Sequence, residues 1–169
     1  ILADLPGPKV RTGSFGTEGV ELDETGLAQA ASLGARFAGA RVSRVVSSPL
    51  ERCQQTAAPI CDSTGTPVLL DDRLAEARYG DWTGQRLSDL ARSRLWRAVQ
   101  DHPSSVVFPG ADGEGMSAVQ ARAVAAVREH DRAVTAEHGD GGAWVAVSHG
   151  DVIKAVVADA LGLHLDLFQ

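Results

Sequence analysis

Residues Trp144–Lys154 read WVAVSHGDVIK: an apolar run stops at Ser148, His149 and Gly150 and passes at once into an amphipathic segment. That order predicts a buried strand ending where a helix begins. Far upstream, Val45–Arg52 (VVSSPLER) has the same arrangement. There Ser48 stands as a helix N-cap, Pro49 as the first helical residue and Glu51 as the acidic member of a capping box. Strands that alternate with helices in this way predict an α/β fold: right-handed crossovers and a mainly parallel sheet, with helices on both faces. Ligands of such sheets bind beyond the carboxyl ends of the strands, which is where both junctions point.

The rest of the chain fits that frame. Ile1–Asp4 reads as a short strand before a turn-rich stretch up to Gly19. Residues 23–39 predict a helix capped by Asp23 or Thr25, with Leu27, Ala30, Leu33 and Phe37 on its inner face. Strands are expected over 41–46, 66–72 and 143–147. The helix opened by Ser48 carries Leu50, Cys53, Ala57 and Ile60 as its stripe. Further helices are expected over 88–100, over 116–138 (stripe Met116, Val119, Ala123, Val127 and Val134) and over 151–162. Residues 74–84 and the Gly-rich 101–115 read as loops, the second long enough to line a site.

With 169 residues, the chain reads as one domain, large enough to bury roughly 70% of its unfolded surface. It is expected to be cut short at its C-terminus, with residues 1–18 atypical of the rest. A net charge of −6 argues against a nucleic-acid-coating surface or a polybasic membrane patch. No apolar stretch approaches the ~20 residues of a membrane span. Cys53 and Cys61, two turns apart on one helix, would lie about 12 Å from each other, too far for a disulfide. They read as core thiols of a cytoplasmic protein.

Three side chains at the expected ligand edge can do chemistry. Arg52, one turn into its helix, offers a guanidinium fork for phosphate or carboxylate. His149 should face the crevice from the end of its strand. Glu76 lies in the loop after the third strand and is a candidate general acid. A surface salt bridge, a structural histidine and a solvated loop glutamate are the plainer alternatives for each taken alone.

Together, the segments SSPLERCQQTA, LAEARYGDWTG, PGADGEG and VSHGDVIKAV, in this order, resemble the phosphoglycerate-mutase-like histidine phosphatases. The upstream LDETGLAQA resembles the segment before that family's first helix. The resemblance covers residues 19–169 and implies a phosphoryl-transfer pocket for a phosphorylated small molecule, with no metal or other cofactor. It implies that Arg52 holds phosphate oxygens, that His149, flanked by Ser148 and Gly150, contacts the phosphate, and that Glu76 protonates the leaving oxygen and then activates water. It also places Glu114 among the substrate-binding residues, although Gly115 stands where the family usually has serine or threonine.

One part of the pattern is missing. The family's first strand ends in Arg-His-Gly, and its histidine attacks phosphorus; here Asp4, Leu5 and Pro6 occupy the aligned positions. Leucine has no lone pair, so Leu5 cannot be a nucleophile. Residues 3–13 resemble instead a short stretch of pyruvate kinases, a barrel that needs about 250 residues and cannot be this chain. His102, His130, His138 and His164 are not at strand exits. Two main readings follow: a phosphatase-type phosphoryl-transfer domain, or a catalytically inactive relative that binds a phosphorylated ligand or a protein partner. A third, a metal-dependent hydrolase using His149 and Asp151, has no supporting metal-ligand spacing. The oligomeric state is open.

Overall fold

A computed structural model describes residues 19–167. The expected strand at Ile1–Asp4, Leu5, and the stretch resembling pyruvate kinases lie outside the described residues. Three parallel strands, β1 (Arg44–Ser47), β2 (Val68–Leu70) and β3 (Trp144–Val147), form a sheet in the order β2-β1-β3. Val45 sits level with Val68 on one side and with Val145 on the other.

The two-residue period of the strands divides their side chains between two cores. Val45, Val145 and Val147 pack against Cys53, Ala57 and Ile60 of α2 (Glu51–Thr64), with Leu33 and Phe37 behind them. Those last two belong to the segment of α1 (Glu24–Ala35) and its exit. Val46 points to the opposite face, where it meets Leu74 from the segment after β2 and Ala126 of α5 (Met116–His138), flanked by Trp144 and Ala146. Helices therefore cover both faces, as the sequence pattern predicts. Each fully buried aliphatic side chain, such as Ile60, contributes roughly 1.5–3 kcal/mol.

Two close approaches fix the frame. A methyl group on Gly34 of α1 would run into the ring and backbone of Pro59 inside α2, so the two helices touch where both lack bulk. In the loop beyond β2, Gly80 has φ 55°, and a Cβ there would collide with the carbonyl of Pro109. Loops 76–84 and 103–115 are thereby pressed together over Tyr79, Trp82, Phe108 and Met116.

The structure corrects several expectations. Ser48 is not the cap of α2: the helix begins at Glu51, Leu50 precedes it in extended conformation, and no side chain caps it. The Ser48 hydroxyl has a different partner, described below. Leu27 is 47% exposed, while Ala30 and Gly34 form the buried side of α1; Asp23, not Thr25, accepts from the Gly26 N–H. The helix expected over 88–100 divides into α3 (Leu87–Leu90) and α4 (Arg94–Asp101). Ser93 separates them, because its hydroxyl accepts the Trp96 N–H at 3.0 Å and caps the second helix. The strand expected over 66–72 keeps three residues, all exposed at the sheet edge. The last helix, α6 (Gly150–Ala160), starts directly after His149. None of the described helices is long and apolar enough to cross a membrane.

Candidate active site

His149 is the last extended residue before α6 and is completely buried. Its ring has partners on both sides. Nε2 lies 2.8 Å from the Ser48 hydroxyl at the exit of β1. Nδ1 lies 3.1 Å from the Arg52 guanidinium and 3.9 Å from the Glu76 carboxylate. The Cys53 sulfur is 3.4 Å from Nε2. Arg52, Glu76 and His149, singled out separately in the sequence, are thus brought together at the carboxyl edge of the sheet. Burial, then the positive charges of Arg52 and Arg122, lower the His149 imidazole to about 3. At neutral pH the ring is therefore uncharged.

Glu76 is carried by a loop, yet that loop is firmly held. The Ser148 hydroxyl donates to the carbonyl of Leu74 at 2.6 Å. Arg122 of α5 donates to the carbonyls of Arg73 at 2.6 Å and Glu76 at 3.2 Å. The Glu76 carboxylate itself accepts the Ala77 N–H at 2.9 Å. The loop's backbone is thus fastened to β3 and α5, and its carboxylate is aimed back at the histidine.

Glu114 is 6% exposed and sits in a fork-to-fork pair with Arg122, at 2.7 Å through Nε and 3.0 Å through the terminal nitrogen. The Arg78 N–H adds a bond at 3.3 Å. Burial pushes this carboxyl up, but the Arg122 hydrogen bonds and charge outweigh it, and the net direction is down. Its oxygens hold Arg122, and Arg122 holds the Glu76 loop. Ser148 is likewise turned to a carbonyl, and Gly150 opens α6.

Tyr79, 4% exposed, donates to Asp151 in the first turn of α6 at 3.1 Å. Burial and the neighbouring carboxylates of Glu76 and Asp151 raise the phenol well above its ordinary range, so it stays protonated. Each of the other four histidines has an acidic partner elsewhere: Asp166 for His102 and His164, Asp71 for His130, and Glu137 for His138. Sequence reasoning missed Arg122, Ser48 as a partner of His149, and Tyr79. Arg122 had a signal: a cation on the inward side of a long helix, between the buried Val119 and Ala126, needs a buried anion.

Comparison with known proteins places the chain in a family. The family model of the histidine phosphatase superfamily (branch 1) matches residues 9–169. A glucosyl-3-phosphoglycerate phosphatase of Mycolicibacterium vanbaalenii is 30% identical over 152 residues, covering 86% of this chain and 65% of the relative. A probable phosphoglycerate mutase of Erwinia tasmaniensis is 31% identical over 150 residues, covering 84% and 64%. The chain thus spans about two thirds of the length of these relatives. Among solved structures, a mycobacterial glucosyl-3-phosphoglycerate phosphatase with VO3 superimposes with TM-score 0.76 at 27% identity, over 90% of this chain and 74% of that one. The chain belongs to the histidine phosphatase superfamily.

Proposed function

We propose that this chain forms a phosphatase-type phosphoryl pocket for a phosphorylated small molecule, a phosphomonoester. The observation that supports it is the meeting of Arg52, Glu76 and His149 at one point on the carboxyl edge of the sheet. In this reading Arg52 grips two non-bridging oxygens with its guanidinium fork. His149 lies beside the same oxygens and stabilises charge that develops on them. Water attacks phosphorus in line as the ester P–O bond breaks, and orthophosphate remains. Glu76 protonates the leaving alcohol oxygen, a role worth roughly 10²–10⁴ in rate. Gly150, at the N-terminus of α6, brings backbone N–H groups toward the anion. Glu114 and Ser148 act here as positioning residues for Glu76, through Arg122 and Leu74, in place of the direct substrate contacts expected from sequence.

The second reading, a catalytically inactive relative that binds a phosphorylated ligand or a protein partner, rests on the expectation from sequence that Leu5 aligns with the family's attacking histidine. It uses the same pocket without hydrolysis. The two separate in one experiment: hydrolysis of an aryl phosphate with chelator present, beside vanadate binding, for the wild-type chain and for His149→Ala. Turnover that the substitution abolishes supports the phosphatase. Vanadate binding without turnover supports the inactive relative, and no binding refutes the pocket.

A further inference from the structure

The proposed reaction gives no part to Ser48, whose hydroxyl lies 2.8 Å from the His149 ring, and its bond fixes where the histidine carries its proton. A guanidinium donates hydrogen bonds and has no lone pair with which to accept one. The Arg52 nitrogen 3.1 Å from Nδ1 therefore makes Nδ1 the bare, accepting nitrogen, and the ring proton sits on Nε2. Nε2–H donates to the Ser48 hydroxyl oxygen at 2.8 Å, where both residues are fully buried. The Leu50 N–H reaches the same oxygen at 3.3 Å, so Ser48 accepts from both the site and the chain entering α2. This accounts for its absence from the helix cap.

Among the described residues, the groups facing the ring are Ser48 at the exit of β1, Arg52 and Cys53 of α2, and Glu76 of the loop beyond β2. Arg122 of α5 adds its positive charge. In this arrangement the Nδ1 lone pair is covered by a cationic donor. An oxyanion that draws the guanidinium onto its own oxygens uncovers that lone pair, and two acceptors would then oppose each other. Protonation of Nδ1 removes the conflict: the ring becomes an imidazolium that donates to the anion from Nδ1, while Ser48 keeps the Nε2 proton.

We infer that a phosphoryl group or similar tetrahedral oxyanion binds this chain with uptake of one proton at His149 Nδ1, and that Ser48 is the positioning residue that reserves this nitrogen for it. The inference rests on the phosphoryl pocket proposed above. Two of the three influences that keep the imidazole neutral are the charges of Arg52 and Arg122, and a dianion in the pocket offsets both. The third, burial, strengthens the attraction between the new cation and the anion. Each proton taken up makes binding stronger as pH falls, by about tenfold per pH unit where uptake is complete.

Tungstate is a suitable probe, because it stays a tetrahedral dianion through neutral pH. Calorimetric titration of the wild-type chain at neutral pH, in two buffers of different ionisation enthalpy, counts the protons taken up per tungstate bound. Nitrogen-15 NMR of the histidines locates the proton. The expected result is an uptake close to one, with the His149 Nδ1 signal moving to its protonated position. Binding with no uptake, or with uptake that survives in His149→Ala, overturns the inference and leaves the pocket standing. No tungstate binding overturns both. Ser48→Ala should weaken binding and cut the uptake by more than half, and Ser48→Thr should restore it. If Ser48→Ala binds tungstate with the wild-type affinity and uptake, the positioning role is refuted. Should that variant not fold, the wild-type NMR titration decides.

Discussion

The hydroxyl of Ser148 donates to the carbonyl of Leu74 across 2.6 Å, joining the end of β3 to the loop that carries Glu76. This bond registers the strand that leads into His149 against the loop that carries Glu76. Removing the hydroxyl leaves a buried carbonyl unpaired, which costs about 1–3 kcal/mol. Ser148→Ala should lower the denaturation midpoint accordingly. If the bond also positions Glu76, turnover should fall with little change in vanadate affinity. A variant as stable as wild type would remove this bond from the account.

The pair of Arg122 and Glu114 is the most deeply placed ion pair of the site, with side-chain exposures of 18% and 5%. Breaking such a pair from one side strands a charge, at a cost of roughly 3–5 kcal/mol. Arg122→Met should therefore destabilise strongly, and adding Glu114→Gln should recover a large part of the loss. Since the Glu114 carboxyl is held low in the folded state, its contribution is present above its unfolded value and fades as pH falls through the folded one. Urea midpoints measured from neutral to acid pH test this: the Arg122→Met penalty should shrink as the medium becomes acid.

His149 gives an acid dependence of its own. Its imidazole is held at about 3 in the fold, against an ordinary value of about 6.5. Between these values the unfolded chain binds a proton that the folded chain refuses, so stability falls as pH drops through that window. The loss is on the order of 4 kcal/mol at the acid end. His149→Gln should flatten the decline between neutral pH and pH about 4, read from unfolding midpoints without any oxyanion present. An unchanged slope would show that other groups control it.

At the contact of α1 with α2, the tolerance is less than one methyl group. A Cβ at Gly34 would meet the Pro59 backbone, which has no rotamer by which to yield. Gly34→Ala should cost about 1–3 kcal/mol through overpacking, although alanine is the better helix former. Increased stability in the variant would mean that the two helices can move apart freely.

Arg52→Ala should weaken vanadate binding by one to two orders of magnitude, since hydrogen bonds to charged groups contribute roughly 1.5–3 kcal/mol. It should also raise the His149 titration, because one of the charges that lowers it is gone. Competition binding and NMR titration of the same sample report both effects. Unchanged affinity would contradict the assignment of the pocket.

What could be read from the sequence depended on whether the signal was local. The strand–helix junctions at Ser48 and His149 announce themselves through periodicity and turn chemistry, and they placed the sheet, its covering helices and the three meeting side chains. The Ser48 cap was misread because a hydroxyl serves either a helix end or a distant ring, and His149 is far away in sequence. Leu27 was misread because α1 turns Ala30 and Gly34, its smallest residues, toward α2. Small residues carry little weight in a hydrophobic pattern, but here they decide which face approaches. Arg122 escaped notice because its meaning lies in the carbonyls of Arg73 and Glu76, which no residue type reveals.

Those carbonyls have a consequence for how the site can change. Ser148 and Arg122 grip the segment around Glu76 by the main-chain oxygens of Arg73, Leu74 and Glu76, atoms that every amino acid supplies alike. Substitutions among the neighbouring side chains leave those anchors in place. A lineage, or an engineer, can therefore redraw the rim of the cleft while the Glu76 carboxylate keeps its place beside His149.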